Sequence, residues 1–380
     1  MTSLLVTNDF PPKLGGIQSY LYELWRRLPP EETTVLTTAY PDAQQWDSEQ
    51  PFRVERARQR VLLPSRSLAR RVDSLAHEVG ADVIFIDPAL PLGMIVPHLK
   101  AAPVVVVVHG AEVTLPGRLF PTRSALARVL RGATGIVAAG EYPARQAALA
   151  ARTDLRGIVV PPGVDAARFR PATDAPERSA TRAHFGLDPS APTVVSVSRL
   201  VPRKGYDVLI DAVAQLDAVQ LAIGGVGRDR SRLEARAKRR GVSDRVHFVG
   251  RIAEADLPTF YRSGDIFAML CRERWNGLEA EGFGIVFLEA SASGIPAIAG
   301  RSGGSHEAVI DGETGYVLDP SDPANVAARL AALFADPARV SMFGAAGRVA
   351  AEGPWSYETR VAPLTRLASG DLSVLGPVAG

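Results

Sequence analysis

The 380-residue chain has a single cysteine, Cys271, so no disulfide forms within it and a reducing compartment is expected. Lysine is nearly as scarce: Lys13, Lys100, Lys204 and Lys238 are the whole set, and the remaining positive charge is arginine. With a formal net charge of only +2, the chain lacks the basic excess of a nucleic-acid binder. Long apolar runs are missing too. The longest, residues 101–108 interrupted by Pro103, falls far short of the ~20 residues that cross a bilayer. Residues 1–9 contain neither a basic n-region nor a long apolar h-region, so a cytoplasmic protein is expected, with peripheral contact at the inner face of the membrane left open. No two aspartates stand two residues apart, and Cys and His are sparse, so neither an Asp-x-Asp metal site nor a zinc cluster is expected.

What is present is a two-domain α/β pattern. At this length, with 46% hydrophobic residues, one core is too few. Short apolar strands at 3–7, 33–38, 83–86, 104–108 and 135–138 alternate with helical or loop segments, and the alternation restarts with strands at 193–198, 220–224, 245–249, 266–270, 295–299 and 315–318. The expected fold is two Rossmann-like doubly wound domains facing across a cleft. The domains are expected at 1–175 and 176–353, with 354–380 a helix returning to the first domain and a loose tail. The Ala-, Pro-, Ser- and Thr-rich stretch 172–190 reads as the linker, and closure would hinge there and near Pro354-Trp355. Ligands of such sheets collect at the carboxyl ends of the strands, which puts the loop 8–16, Asp87-Pro88 and His109-Gly110 on one rim. On location alone, His109 is a strand-end histidine satisfied by nearby backbone.

The stretch 273–289 holds the richest chemistry. Gly282 and Gly284 bracket Phe283 where polar loop gives way to an apolar helix, and a helix opening there offers free amides to a phosphate. Glu281 and Glu289 are too far apart in sequence for a close catalytic dyad and read as clamps on two ends of an extended ligand. Arg199 and Lys204, five apart in the loop after a strand with Arg203 beside them, suit a diphosphate held without metal. Gly15-Gly16 closes a strand–loop–helix segment, a phosphate signal or a plain turn. Seven arginines between 53 and 71, interleaved with Val61, Leu62, Leu63 and Leu68, read either as a surface for anionic lipid or as a solvated face.

Taken in order, Gly15-Gly16, His109-Gly110, Pro161-Pro-Gly-Val-Asp165, Ser198-Arg-Leu-Val-Pro-Arg-Lys-Gly205, Glu281-Gly-Phe-Gly-x4-Glu289 and Ser302-Gly-Gly304 resemble the retaining GT-B glycosyltransferases of family 4. Asn8-Asp-Phe-Pro-Pro-Lys-Leu-Gly-Gly-Ile-Gln-Ser-Tyr20 and Gly284-Ile-Val-Phe-Leu-Glu-Ala290 are similar to the actinobacterial phosphatidylinositol mannoside mannosyltransferases within it. The resemblance implies a metal-independent transfer from a nucleotide sugar, here GDP-mannose, to a phosphatidylinositol-type lipid, with retention of configuration and no further cofactor. The first domain would bind acceptor and the second donor. Arg199 and Lys204 would grip the diphosphate, Glu281 the sugar hydroxyls and Glu289 the ribose, with His109 near the reacting centre. Gly15, Gly16 and the amides of Phe283, Gly284, Ile285 and Val286 would approach the phosphates. Arg251 and Ile252 would touch the base, and Asp9 and Gln18 the inositol. Arg56, Arg58, Arg70 and Arg71 would face the membrane. Two departures mark this chain: Ala111-Glu112 follows His109-Gly110 in place of a second histidine, and residues 272–279 replace a smaller, more glycine-rich loop. Two alternatives share the shape: an enzyme using UDP-N-acetylglucosamine or UDP-glucose on a soluble inositol phosphate or natural-product acceptor, and a nucleotide-sugar epimerase.

Overall fold

A computed structural model describes residues 2–378. The chain forms two compact units, Met1–Pro162 with Tyr357–Gly380, and Gly163–Ser356. In the first, strands β1 (Thr2–Thr7), β2 (Thr33–Thr37), β3 (Arg53–Arg56), β4 (Ala81–Asp87), β5 (Val104–Val108), β6 (Gly135–Ala138) and β7 (Leu155–Val159) lie parallel in the order β7-β6-β5-β4-β1-β2-β3. The five consecutive valines of β5 are all buried, because helices cover both faces of the sheet. Alternate residues serve opposite cores: Leu4 and Val6 join one apolar cluster and Leu5 the other.

The second unit repeats the plan. Strands β8 (Thr193–Val197), β9 (Gln220–Gly224), β10 (Val246–Gly250), β11 (Ile266–Met269), β12 (Ala297–Gly300) and β13 (Gly315–Leu318) run parallel in the order β10-β9-β8-β11-β12-β13. Val194 and Val195 again point into separate clusters on the two faces. In each sheet the chain winds outward both ways from an inner pair, β1 and β4 in one and β8 and β11 in the other. The crevice at the carboxyl ends of such a pair is where open α/β sheets take ligands. The loops leaving these four strands begin at Asn8, Asp87-Pro88, Ser198 and Leu270.

Three expectations need revision. The stretch 172–190 is no linker: Asp174 caps a helix, Ala175–His184, by accepting from the Glu177 amide, and the stretch belongs to the second unit. The chain passes between units at Pro162–Gly163 instead, and again at Ser356–Tyr357, beside the second crossing expected near Pro354-Trp355. The terminal residues are not loose up to Val378, because β14 (Gly376–Val378) pairs antiparallel with β7; residues 379 and 380 of the expected tail lie outside the described residues. The arginine-rich stretch from 53 opens with β3, where Arg56 is turned inward: its guanidinium donates to both Asp47 carboxylate oxygens at 2.7 Å and to the carbonyls of Thr38 and Pro11. Arg56 therefore ties strand to loop and is not a membrane-facing residue. Arg58, Arg70 and Arg71 are exposed.

Candidate active site

In the second unit the loop after β8 ends in a short turn, Pro202–Lys204, closed by Gly205 at φ 70°. A side chain at Gly205 would lie 1.8 Å from the Leu270 carbonyl, so only glycine lets this turn press against the end of β11. That approach delivers Lys204, itself buried, to the stretch after β11. There Lys204 Nζ lies 2.7 Å from Glu281 Oε2, with Arg203 Nε 3.6 Å from the same oxygen. The Cys271 thiol donates to that oxygen at 3.7 Å, its pKa pushed up to about 12, chiefly by burial. Burial alone would raise the Glu281 pKa, but Lys204 and then Arg203 outweigh it and hold the carboxyl below its usual range. Glu281 is thus an ionised carboxylate with two cations beside it. From behind, the Gly304 amide donates to the Glu281 carbonyl at 2.9 Å, and a side chain at Gly303 or Gly304 would collide with the carbonyl of Glu281 or Gly282.

The helix Ile285–Ala292 starts after Gly284 at φ 104°, and no side chain caps it, which leaves its first amides available to an anion. Phe283 is buried beneath this turn. Glu289, one turn in, receives the Tyr261 hydroxyl at 2.6 Å. Burial raises its pKa to about 7, the Tyr261 bond opposing and Glu254 reinforcing the shift. Arg199, at the head of the β8 loop, is exposed, so it and Lys204 are not a matched pair: one faces solvent and the other is committed to Glu281. After β10 the loop carries Arg251, exposed, and Ile252, which packs over Gly224.

The first unit gathers a second set on adjacent strands β5, β4 and β1. His109 Nε2 lies 2.6 Å from Asp87 Oδ1, and Thr7 Oγ1 donates to Asp87 Oδ2 at 2.6 Å while accepting from the Asp9 amide at 2.8 Å. Burial pulls the His109 pKa down, but the Asp87 charge and hydrogen bond carry it above the ordinary histidine value. The Tyr20 ring packs T-shaped against the imidazole, with centroids 5.3 Å apart. Glu112 folds back to accept from the amides of His109 and Gly110 and so fixes the histidine's backbone. Asp9 Oδ1 accepts from Lys13 and Gln18, each at 2.6 Å. A side chain at Gly15 would strike the Gln18 amide, whereas one at Gly16 would meet open space.

The structure thus brings Lys204 to Glu281, Asp9 to Gln18, and His109 to a strand-end acid. Sequence reasoning placed Asp87 on the rim and Arg203 beside Lys204 without pairing them, and it missed the partners Thr7, Lys13, Cys271 and Tyr261. Asp87 and Arg203 had visible signals, an acid ending a strand on the ligand rim and a cation beside Lys204; Tyr261, in a separate helix, had none. Among the described residues no three of His, Cys, Asp or Glu converge as a metal site requires.

Residues 14–168 match Glycosyltransferase Family 4 and residues 177–350 match Glycosyl transferases group 1. The GDP-mannose-dependent alpha-(1-6)-phosphatidylinositol monomannoside mannosyltransferase of Mycolicibacterium smegmatis is 39% identical over 97% of this chain and 98% of its own. The corresponding monoacylated phosphatidylinositol monomannoside mannosyltransferase of Corynebacterium glutamicum is 37% identical over 96% and 97%. Among solved structures, Anabaena HepE in complex with UDP superposes with a TM-score of 0.82 at 21% identity over 97% of this chain and all of that one, a likeness of fold. The chain belongs to the group 1/family 4 glycosyltransferases and has their GT-B fold.

Proposed function

We propose that the protein moves mannose from GDP-mannose to a phosphatidylinositol mannoside-type lipid, with retention of configuration and without a metal. The observation that carries this reading is that both units, not one, align at 37–39% identity with enzymes named for that donor and acceptor. The second unit takes the donor. The helix mouth at Ile285, Arg199 and Lys204 stabilise charge on the departing diphosphate, Glu281 accepts from the sugar hydroxyls while holding Lys204, and Glu289 accepts from the ribose. The C1–O bond to the β-phosphate breaks and a bond from the acceptor oxygen to C1 forms on the same face. The acceptor proton passes to the departing phosphate oxygen, so no protein base is required. His109 orients the transferred sugar, and Asp9 and Gln18 bind the inositol. The room beside Gly16 supports an approach of ligand to backbone there.

The acceptor is a membrane lipid in this reading, and no helix among the described residues is long and apolar enough to cross a membrane. Exposed Arg58, Arg60, Arg70 and Arg71, with Val61 and Leu63 exposed between them, support peripheral docking on the anionic inner leaflet. The test is thermal stabilisation by GDP, UDP and ADP, followed by transfer from GDP-mannose to phosphatidylinositol monomannoside read by product mass. Preference for GDP and gain of one hexose are expected. Preference for UDP with a product only on soluble inositol phosphate would refute the reading, and conversion of the sugar nucleotide without any acceptor would indicate an epimerase.

A further inference from the structure

The stretch between β11 and Glu281 forms a small hairpin in which Arg274 and Glu279 exchange backbone hydrogen bonds at 2.9 and 3.2 Å. Its tip runs through three successive left-handed residues, Trp275 at φ 51°, Asn276 at 54° and Gly277 at 79°. Glycine and asparagine take that conformation readily, but tryptophan does so against steric resistance from its Cβ. Burial gives no compensation, since Trp275 is 62% exposed. One face of the indole is covered by the Arg274 guanidinium, 4.6 Å from the ring centroid. The hairpin is anchored firmly to the site: Arg274 donates to Glu279 at 2.8 Å, Glu279 lies 3.6 Å from Arg203, and Arg203 contacts Glu281. At its base the Arg272 amide donates to the Arg203 carbonyl, and Glu273 accepts from the Gly303 amide. A large aromatic side chain held out on a strained, well-anchored turn, with one face braced and the other open, is unexplained by packing or local propensity, and such strain is characteristic of functional positions.

We infer that Trp275 is a stacking platform for the pyranose ring of the mannosylated acceptor. The inference rests on the mannosyl-transfer reading above. Apolar C–H edges of a pyranose pack on an indole face, and the cation behind the ring holds that face in place. The donor base is not a competing occupant: the loop proposed for it follows β10, which stands three strand spacings, ~14 Å, from β11 in the sheet. The donor sugar is held through its hydroxyls at Glu281 and needs no apolar platform.

Trp275→Gly removes the ring and suits the backbone, so it separates recognition from folding; Trp275→Phe keeps an aromatic face. Transfer from GDP-mannose to phosphatidylinositol monomannoside in mixed micelles, GDP affinity and melting temperature are measured for both. For Trp275→Gly, the acceptor KM is expected to rise about tenfold, with GDP affinity unchanged within about twofold and melting at or above the wild-type temperature. Trp275→Phe should recover most of the acceptor affinity. A wild-type acceptor KM in Trp275→Gly overturns the proposal while leaving the mannosyl-transfer reading intact, and so does a parallel fall in GDP affinity, which would make the ring a donor contact. Loss of vesicle binding with normal kinetics on a water-soluble mannoside would make it a membrane anchor and also overturn the proposal. A wild-type protein that transfers to no mannosylated lipid removes the parent reading and this inference together.

Discussion

Glu281 and Glu289 are the same residue type, largely buried in the same unit on one short stretch, yet their surroundings move their pKa values in opposite directions. Lys204 and Arg203 keep Glu281 ionised against its burial. Glu289 has a neutral hydroxyl from Tyr261 and the added repulsion of Glu254, so burial prevails and its pKa climbs to about 7. Burial raises both carboxyl pKa values, and the outcome turns on whether a cation stands close enough to outweigh it. The two settings suit two tasks. An ionised carboxylate locked to a lysine can orient both that lysine and the hydroxyls of a sugar. A carboxyl poised near neutrality can give up its proton when a diol arrives to bond it.

The largest effect is expected where the contrast is broken outright. Lys204→Ala leaves Glu281 with the longer contact to Arg203 and the weak thiol donor of Cys271, and loss of one partner from a buried pair costs about 3–5 kcal/mol. Under the proposed donor site, where Lys204 faces the departing diphosphate, turnover of GDP-mannose should also fall at least ~100-fold. Denaturant melts and initial rates check both. The double change Lys204→Met with Glu281→Gln should recover much of the stability and none of the activity, which separates the structural job of the pair from its chemical one.

Next comes the pH dependence of Glu289. Its folded pKa lies above the ordinary value, so between about 4.5 and 7 the native state binds more protons than the unfolded one. Stability due to this group is greatest below that window and declines as pH rises through it, by on the order of 3 kcal/mol. Glu281 has the opposite sign: its contribution is present at neutral pH and is lost in acid. Glu289→Gln should therefore flatten the decline toward neutrality and leave the acid limb unchanged. Under the proposed ribose contact, GDP affinity in the wild type should rise with pH through about 7, with proton release visible as a buffer-dependent binding enthalpy; an affinity that ignores pH would remove Glu289 from the donor site.

A third buried acid, Asp87, extends the comparison to the other unit, where its partner is an imidazole. Asp87→Asn should lower the His109 pKa, followed by ring-proton NMR, because the charge that offsets burial is gone. The accompanying loss of stability should be about 2 kcal/mol, since Thr7 and His109 both bond this group.

These pairings mark the limit of what the sequence makes legible. Runs such as the valines of β5 dictate buried parallel strands, and strand ends put Asp87, His109 and Ser198 on ligand rims, so the fold and the loops of the site could be read directly. The glycine-and-glutamate pattern at 281–289 pointed to the stretch where the structure gathers Lys204 and Arg203 around Glu281. What could not be read is which long-range partner each charge takes. Arg56 sits among seven arginines of one apparent surface, and only the pairing of β2 with β3 turns it toward Asp47. Residues 172–190 have a loop-like composition, but the Asp174 cap and the Arg182–Asp265 ion pair fold them into the second unit. Glu281 and Glu289 look equivalent on paper because Lys204 and Tyr261 reach them from other segments.

Tyr261→Phe gives the gentlest test of the contrast. The ring packs among Phe169, Phe260 and Phe267 and should keep its place, so only the hydroxyl is lost. That hydroxyl is the principal influence holding the Glu289 pKa down against burial. Without it the carboxyl should hold its proton to higher pH, and the rise in GDP affinity should shift upward along the pH axis without changing its plateau. Because the undonated carboxyl is then protonated at neutral pH, the stability cost should stay near ~1 kcal/mol. A charged, unpartnered Glu289 would cost much more, so a large loss would mean that the carboxyl is ionised in the wild type and that the difference from Glu281 is one of degree, not of kind.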